Sequence, residues 1–415
     1  MAETLRSRLA RARELSRIAR ESPSDPEPLV EEPDAAASEP SGQLSGWTRA
    51  APFVFSRVVR RDNPLPEFLD LRPYLPGTLR PADPERERSF LETGSQLRLF
   101  RADRLLFLDL ETTGLSGGAG TVAFLAGLGR VVPGYAAEGF EIRQFLLTDY
   151  PGEGAFLDAV LGELSPGTVL ASYNGRSFDE PLLRTRCVLN RKDWPRHLHA
   201  DFLPPARRLW RKRFPDCSLG TLETLLLGRC RTLDVPGSRI PEIWFEYVKR
   251  GFHPLLGAVL EHNAADLESL AAVAAECGRA HANPAEARGC DRTALGALWL
   301  KLDPGMGRAA LEGAFAEGEE RAGWLLLGHY RRERAYGEYE RILTALIPSR
   351  DSWVEKAKHE EHRSRNPEAA LRAALEAQSF PADSEFQESL ERRIRRLERK
   401  LAAIRSREGR TSLPR

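Results

Sequence analysis

Phe107-Leu108-Asp109-Leu110-Glu111-Thr112-Thr113-Gly114-Leu115 is the stretch on which the fold turns. Side chains two apart along a strand share a face, so Asp109 and Glu111 project side by side while Leu108 and Leu110 point the other way. Two adjacent carboxylates repel unless a cation lies between them. A hard divalent ion such as Mg2+ or Mn2+, which prefers carboxylate and water oxygens, suits the place. Taken alone, the pair also fits a strand end carrying two solvated acids.

Working outward, residues 105–110, 121–132 and 140–147 are apolar runs separated by Gly-rich or Pro-Gly turns, as consecutive antiparallel strands would be. Residues 154–164 have helical spacing, 168–173 suit a short strand, and 179–189 are helical again. Further helices are expected over 205–214, 219–227, 241–250 and 255–277. The order βββαβα followed by helices narrows the fold to α/β without selecting one.

Two more segments carry acids. In Tyr173-Asn174-Gly175-Arg176-Ser177-Phe178-Asp179 a strand leads through an Asn-Gly turn to a helix start, where Asp179 is either a cap or a ligand. In Glu261-His262-Asn263-Ala264-Ala265-Asp266 the four-residue spacing puts His262 and Asp266 on one helix face, as an ion pair or as an imidazole beside a metal-binding acid.

Together these segments resemble the DEDD superfamily of 3′-to-5′ exonucleases, and the text around them is similar to its YprB-like ribonuclease H-like branch. The first motif is matched by Asp109, Glu111, Thr113, Gly114 and Leu115, the second by Asn174, Phe178 and Asp179, and the third by His262 and Asp266. Residues 218–223 and 234–238 are also typical of the branch. The resemblance covers roughly residues 100 to 280 and implies an α/β ribonuclease H-like domain, a mixed sheet with flanking helices.

It further implies two Mg2+ or Mn2+ ions held by Asp109, Glu111, Asp179 and Asp266, with His262 as general base in a two-metal hydrolysis of single-stranded DNA or RNA. Thr113, Gly114, Leu115, Asn174 and Phe178 would then contact the substrate, although Phe178 could equally be a core residue. One departure stands out. Family members whose base is His usually place it five residues before the final Asp, whereas four is the Tyr spacing, and one residue turns a side chain by ~100° about a helix.

Composition agrees with a local site. The 61 basic and 60 acidic residues nearly cancel, so no global field draws the chain to nucleic acid or membrane. Only seven of the basic residues are Lys, which fits phosphate-binding guanidinium forks or simply a GC-rich genome. Arg207, Arg208 and Arg211, with Lys212 and Arg213 and interleaved with Trp210 and Phe214, make a candidate nucleic-acid strip or a solvated helix face. Gly117-Gly118-Ala119-Gly120 lacks the Lys-Ser/Thr of a phosphate loop and is expected to be a turn. Five scattered cysteines without a Cys-x-x-Cys pair argue against a disulfide framework or structural zinc. With no signal core and no membrane span, a cytoplasmic protein is expected.

The expected divisions are a disordered tail over 1–46, within which 4–20 could form a basic helix, and an irregular segment over 47–100 packed on the next domain. The ribonuclease H-like domain follows over 101–282, an all-α tetratricopeptide-like region over 283–380, and a basic amphipathic helix and tail over 381–415. Trp324 with Trp353, Ile342 with Leu371 and Leu346 with Leu375 suggest a repeat at an offset of 29. Such helices suit a protein partner. Two rival functions remain, a catalytically weak nucleic-acid-binding or scaffold protein acting through those helices, and a structure-specific endonuclease on the same fold.

Overall fold

The computed structural model describes residues 44–75, 100–114, 120–132, 139–231 and 235–411. Expectations for 4–20, for most of the 1–46 tail, for Leu115 and for Gly117 to Ala119 therefore lie outside the described residues. Gly46–Arg415 cluster as one unit.

Its strands are Thr48–Ala51 (β1), Val54–Arg61 (β2), Phe68–Leu69 (β3), Phe100–Arg101 (β4), Leu105–Thr112 (β5), Ala123–Val131 (β6), Phe140–Leu147 (β7), Val169–Ser172 (β8) and Leu198–Asp201 (β9). Seven of them form one mixed sheet in the order β1-β2-β7-β6-β5-β8-β9, while β3 and β4 pair separately. β5 lies between antiparallel β6 and parallel β8. Its alternation is the one the sequence implies: Leu105 and Phe107 enter a single large apolar core, and the same row continues as Asp109 and Glu111. Leu106, Leu108 and Leu110 are also buried.

Three strands of the sheet were not anticipated. The irregular segment expected from residue 47 instead adds β1 and β2 to the sheet, β2 pairing with β7 along its whole length. Val54 and Phe55 are buried while the Arg-rich remainder is half-exposed, as befits a strand near a sheet margin. β9 has only four residues, too few for a periodic signal.

The first helices are Glu153–Gly162 (α1), Asp179–Leu189 (α2), Leu203–Trp210 (α3), Leu219–Leu225 (α4), Ile240–Arg250 (α5) and Leu256–Ala282 (α6). α6 lays Ala264, Leu267, Leu270, Ala271 and Ala274 into the core that holds Leu105 and Phe107. A close approach makes this possible: a Cβ on Gly127 of β6 would lie 2.3 Å from Asn263 Oδ1 and 2.5 Å from Leu267 Cδ1.

Beyond the sheet every described element is helical: Arg292–Leu302 (α7), Pro304–Ala316 (α8), Glu320–Arg332 (α9), Tyr336–Ala345 (α10), Arg350–His362 (α11), Pro367–Gln378 (α12) and Ser384–Thr411 (α13). Leu295 and Trp299 of α7 join the sheet's own core, so this helix is anchored to the α/β part. The offset of 29 needs correction. Leu346 is buried but Leu375 is 48% exposed, whereas at an offset of 31 buried Tyr339, Ile342, Leu343 and Leu346 match buried Ala370, Ala373, Ala374 and Ala377. The turn residues Arg334 and Arg365, both at positive φ, keep the same offset. Matching by side-chain size misled here, because the second hairpin fills the equivalent face with alanine. In α13, Leu390, Ile394, Leu397 and Leu401 are buried while Ile404 is 37% exposed, so most of its apolar stripe is covered.

Candidate metal and catalytic site

β5 ends beside the first half of α6, and the acids meet there. Glu111, His262 and Asp266 each offer a ligand atom, all within 4.8 Å of one another. His262 Nε2 lies 3.4 Å from Asp266 Oδ2 and 3.8 Å from Glu111 Oε1, so the four-residue spacing does bring the imidazole to the acids.

Asp109 and Asp179 keep some exposure but lie deep among protein atoms. Burial, and then the charges of Asp266, Glu111 and Asp179, push the Asp109 carboxyl well above the usual carboxylate range, against a hydrogen bond from Asn263 that favours the ionised form. Burial likewise raises Asp179, to about 7. A divalent cation bound between these acids would favour their ionised forms. The donor set of carboxylates with one imidazole fits a hard ion of the Mg2+ or Mn2+ type.

Asp179 opens α2 after a tight turn. Asn174 stands at φ 69°, and its N–H donates to Asp201 Oδ1 at 2.8 Å. The same oxygen accepts from the Leu203 N–H at 3.0 Å, so buried Asp201 ties the turn to the end of β9. Gly175 is required for space: a Cβ there would sit 2.6 Å from Ser172 Oγ and 2.7 Å from Asp179 Oδ2. Ser172 Oγ also lies 2.7 Å from His199 Nε2, whose Nδ1 lies 2.6 Å from Glu180 Oε2.

Residues proposed for substrate contact divide. Thr113 Oγ1 accepts from the Val122 N–H at 2.9 Å, and the Gly114 carbonyl accepts from Thr112 Oγ1 at 2.9 Å, so both shape the end of the β5–β6 hairpin. Phe178, next to Asp179, is 54% exposed and is not a core residue. Arg207 and Arg211 are exposed, but Arg208 is misplaced in the basic strip. Its charge acts on Cys277 and His281, and Cys277 is eleven residues, roughly 16 Å along α6, beyond Asp266. Trp210 and Phe214 are buried, which removes them as stacking platforms. Lys212 pairs with Asp291 at 2.7 Å and Arg213 donates to the Gly289 carbonyl at 2.8 Å, so these two cations secure the approach to α7.

Arg231 and Asn263 carry no spacing signal, yet both enter the site. Arg231 donates from Nε to Glu223 Oε2 at 2.9 Å, from Nη2 to Asp266 Oδ1, and from Nη1 to His262 Nδ1 at 3.2 Å. A guanidinium only donates, so Nδ1 accepts and a neutral His262 ring carries its proton on Nε2, facing Glu111 and Asp266.

Residues 106–277 match the RNase H superfamily, a stretch that includes the four acids and His262. A Bacillus subtilis (strain 168) protein, YprB, described as uncharacterized, is 39% identical over 174 residues, 41% of this chain and 41% of that protein's length. Among the described residues no helix is long and apolar enough to cross a membrane.

Proposed function

We propose that the α/β part is a metal-dependent 3′-to-5′ exonuclease that hydrolyses phosphodiester bonds at the 3′ end of single-stranded nucleic acid. The observation that carries this is the convergence of Asp109, Glu111, Asp179 and Asp266, with His262 among them, on one end of β5. Two divalent ions held there would neutralise the phosphate and stabilise the departing 3′ oxygen.

The chain's own residues take the remaining tasks. His262 accepts the attacking water's proton at Nε2 once Arg231 turns away from Nδ1 and the ring can change tautomer. The Asn174 turn, fastened by Asp201, sets the position of Asp179. Phe178 offers an exposed ring on which a terminal base can stack. Arg207 and Arg211 supply exposed cations for backbone phosphates. The helices from α7 onward serve as a docking region for a protein partner.

A 5′-labelled oligonucleotide, as DNA and as RNA, tests this directly. With Mg2+ or Mn2+ the purified protein should give a ladder that chelation or Asp109→Ala abolishes. Absence of cleavage in both metals would end the exonuclease reading, and cutting of a circular substrate would replace it with an endonuclease.

A further inference from the structure

Arg57, Gln144, Gly127 and Asp109 form one row across four strands: Arg57 is paired with Gln144, Gln144 with Gly127, and Gly127 with Asp109. Gly127 contributes no side chain, and the gap it leaves is filled from α6 by Asn263. The row is thereby continuous in hydrogen bonds. Arg57 Nε donates to Gln144 Oε1 at 2.6 Å, Gln144 Nε2 donates to Asn263 Oδ1 at 2.7 Å, and Asn263 Nδ2 donates to Asp109 Oδ2 at 2.8 Å.

The direction of this chain is fixed by Arg57 at one end and supported by two backbone acceptors along it: Gln144 Nε2 also donates to the Leu260 carbonyl at 2.8 Å, and Asn263 Nδ2 to the Asp109 carbonyl at 3.2 Å. An amide can turn either way, but a guanidinium has only donors. Gln144 must therefore show its oxygen to Arg57 and its NH2 to Asn263, which must show its oxygen to Gln144 and its NH2 to Asp109. Gln144 and Asn263 are fully buried, so solvent offers neither a substitute partner. Arg57 is itself anchored, with Nη1 2.8 Å from Glu261 Oε1, Nη2 donating to the Leu260 carbonyl at 3.2 Å, and its guanidinium over the Trp47 ring.

We infer that Arg57, outside the family-matched segment, is a positioning residue for Asp109: through Gln144 and Asn263 it holds Oδ2 in a hydrogen bond and leaves Oδ1 to face the metal. This rests on the metal-dependent site proposed above. A flipped Asn263 would instead present a carbonyl oxygen to the carboxylate and turn it away.

Mn2+ binding to the full chain, followed by electron paramagnetic resonance without nucleic acid, tests the relay. Arg57→Met should weaken binding about tenfold, as loss of an outer partner of a ligand commonly does, and Asn263→Ala at least as much. Because Arg57 acts only through Asn263, the double variant should bind within about twofold of Asn263→Ala alone, and Arg57→Lys should stay within about threefold of the wild type. Multiplying effects, or wild-type binding by Arg57→Met, overturns the inference. Should circular dichroism show those variants unfolded, Gln144→Glu decides: it still accepts from Arg57 but cannot donate to Asn263, so binding should fall equally, and unchanged binding overturns the relay. A wild-type chain that binds no Mn2+ would instead remove the metal site itself, and the relay with it.

Discussion

Arg231 donates to Asp266 Oδ1 from the same guanidinium that holds Glu223, and so places a positive charge inside the cluster of acids. Burial alone would lower the Arg231 pKa, but the bonds to Glu223 and Asp266 raise it, and the group stays charged. Arg231→Met should therefore leave buried Glu223 without its cation and Asp266 with His262 but no guanidinium beside it, and destabilise the metal-free protein by roughly 3 kcal/mol. Mn2+ should restore more of the loss than it adds to the wild type. Melting curves with EDTA and with Mn2+ measure both, and an equal metal-induced shift in the two proteins would count against Arg231 as the stand-in cation.

The acids also set a pH dependence. Asp179 holds its proton in the fold up to about 7, above its ordinary value near 3.8. A carboxyl with a raised folded pKa contributes stability that is complete below its ordinary value and is lost as pH rises through the folded one. The metal-free protein should thus lose stability between about pH 4 and pH 7, and Asp179→Asn should flatten that slope. Melting temperatures in EDTA across this range check it; a slope unchanged by Asp179→Asn would contradict it.

Gly127 is a point of close approach between α6 and the sheet. Gly127→Ala places a methyl 2.3 Å from Asn263 Oδ1, and neither the strand nor the helix can yield cheaply. A loss of ~1–3 kcal/mol is expected from overpacking, together with reduced nuclease activity as Asn263 shifts from Asp109. Urea denaturation and the ladder assay measure the two effects; a fully stable, fully active variant would show that helix and sheet have slack here.

Asp201 touches no other acid of the cluster by hydrogen bond, yet it fastens the turn that ends in Asp179. Asp201→Ala should cost about 1–3 kcal/mol by leaving buried N–H groups without an acceptor. Its nuclease rate should fall while Asp201→Asn, which keeps one acceptor oxygen, retains more of both. Comparison of the two variants at equal folded fraction separates positioning of Asp179 from simple loss of protein.

Much of the site is legible along the chain because its signals are local. Asp109 and Glu111 share a face through the strand's period of two, His262 and Asp266 through the helix's four-residue spacing, and Asp179 follows an Asn-Gly turn. Arg208 shows the limit of such reasoning. A run of cations between aromatics looks like a binding strip, but α3 turns Trp210 into the core and Arg208 towards Cys277.

The sequence by itself thus determined the order of the central strands and helices and which acids share a face within one segment, because each depends on contacts between near neighbours in the chain; that the three acid-bearing segments belong together was implied by the family resemblance alone. Only the tertiary structure decided that Arg231 sits among those acids, that Asn263 fills the space above Gly127, and that Arg57 begins a row ending at Asp109. Cross-strand register and helix docking join residues up to about two hundred positions apart, and periodicity within one segment carries no record of which partner lies opposite.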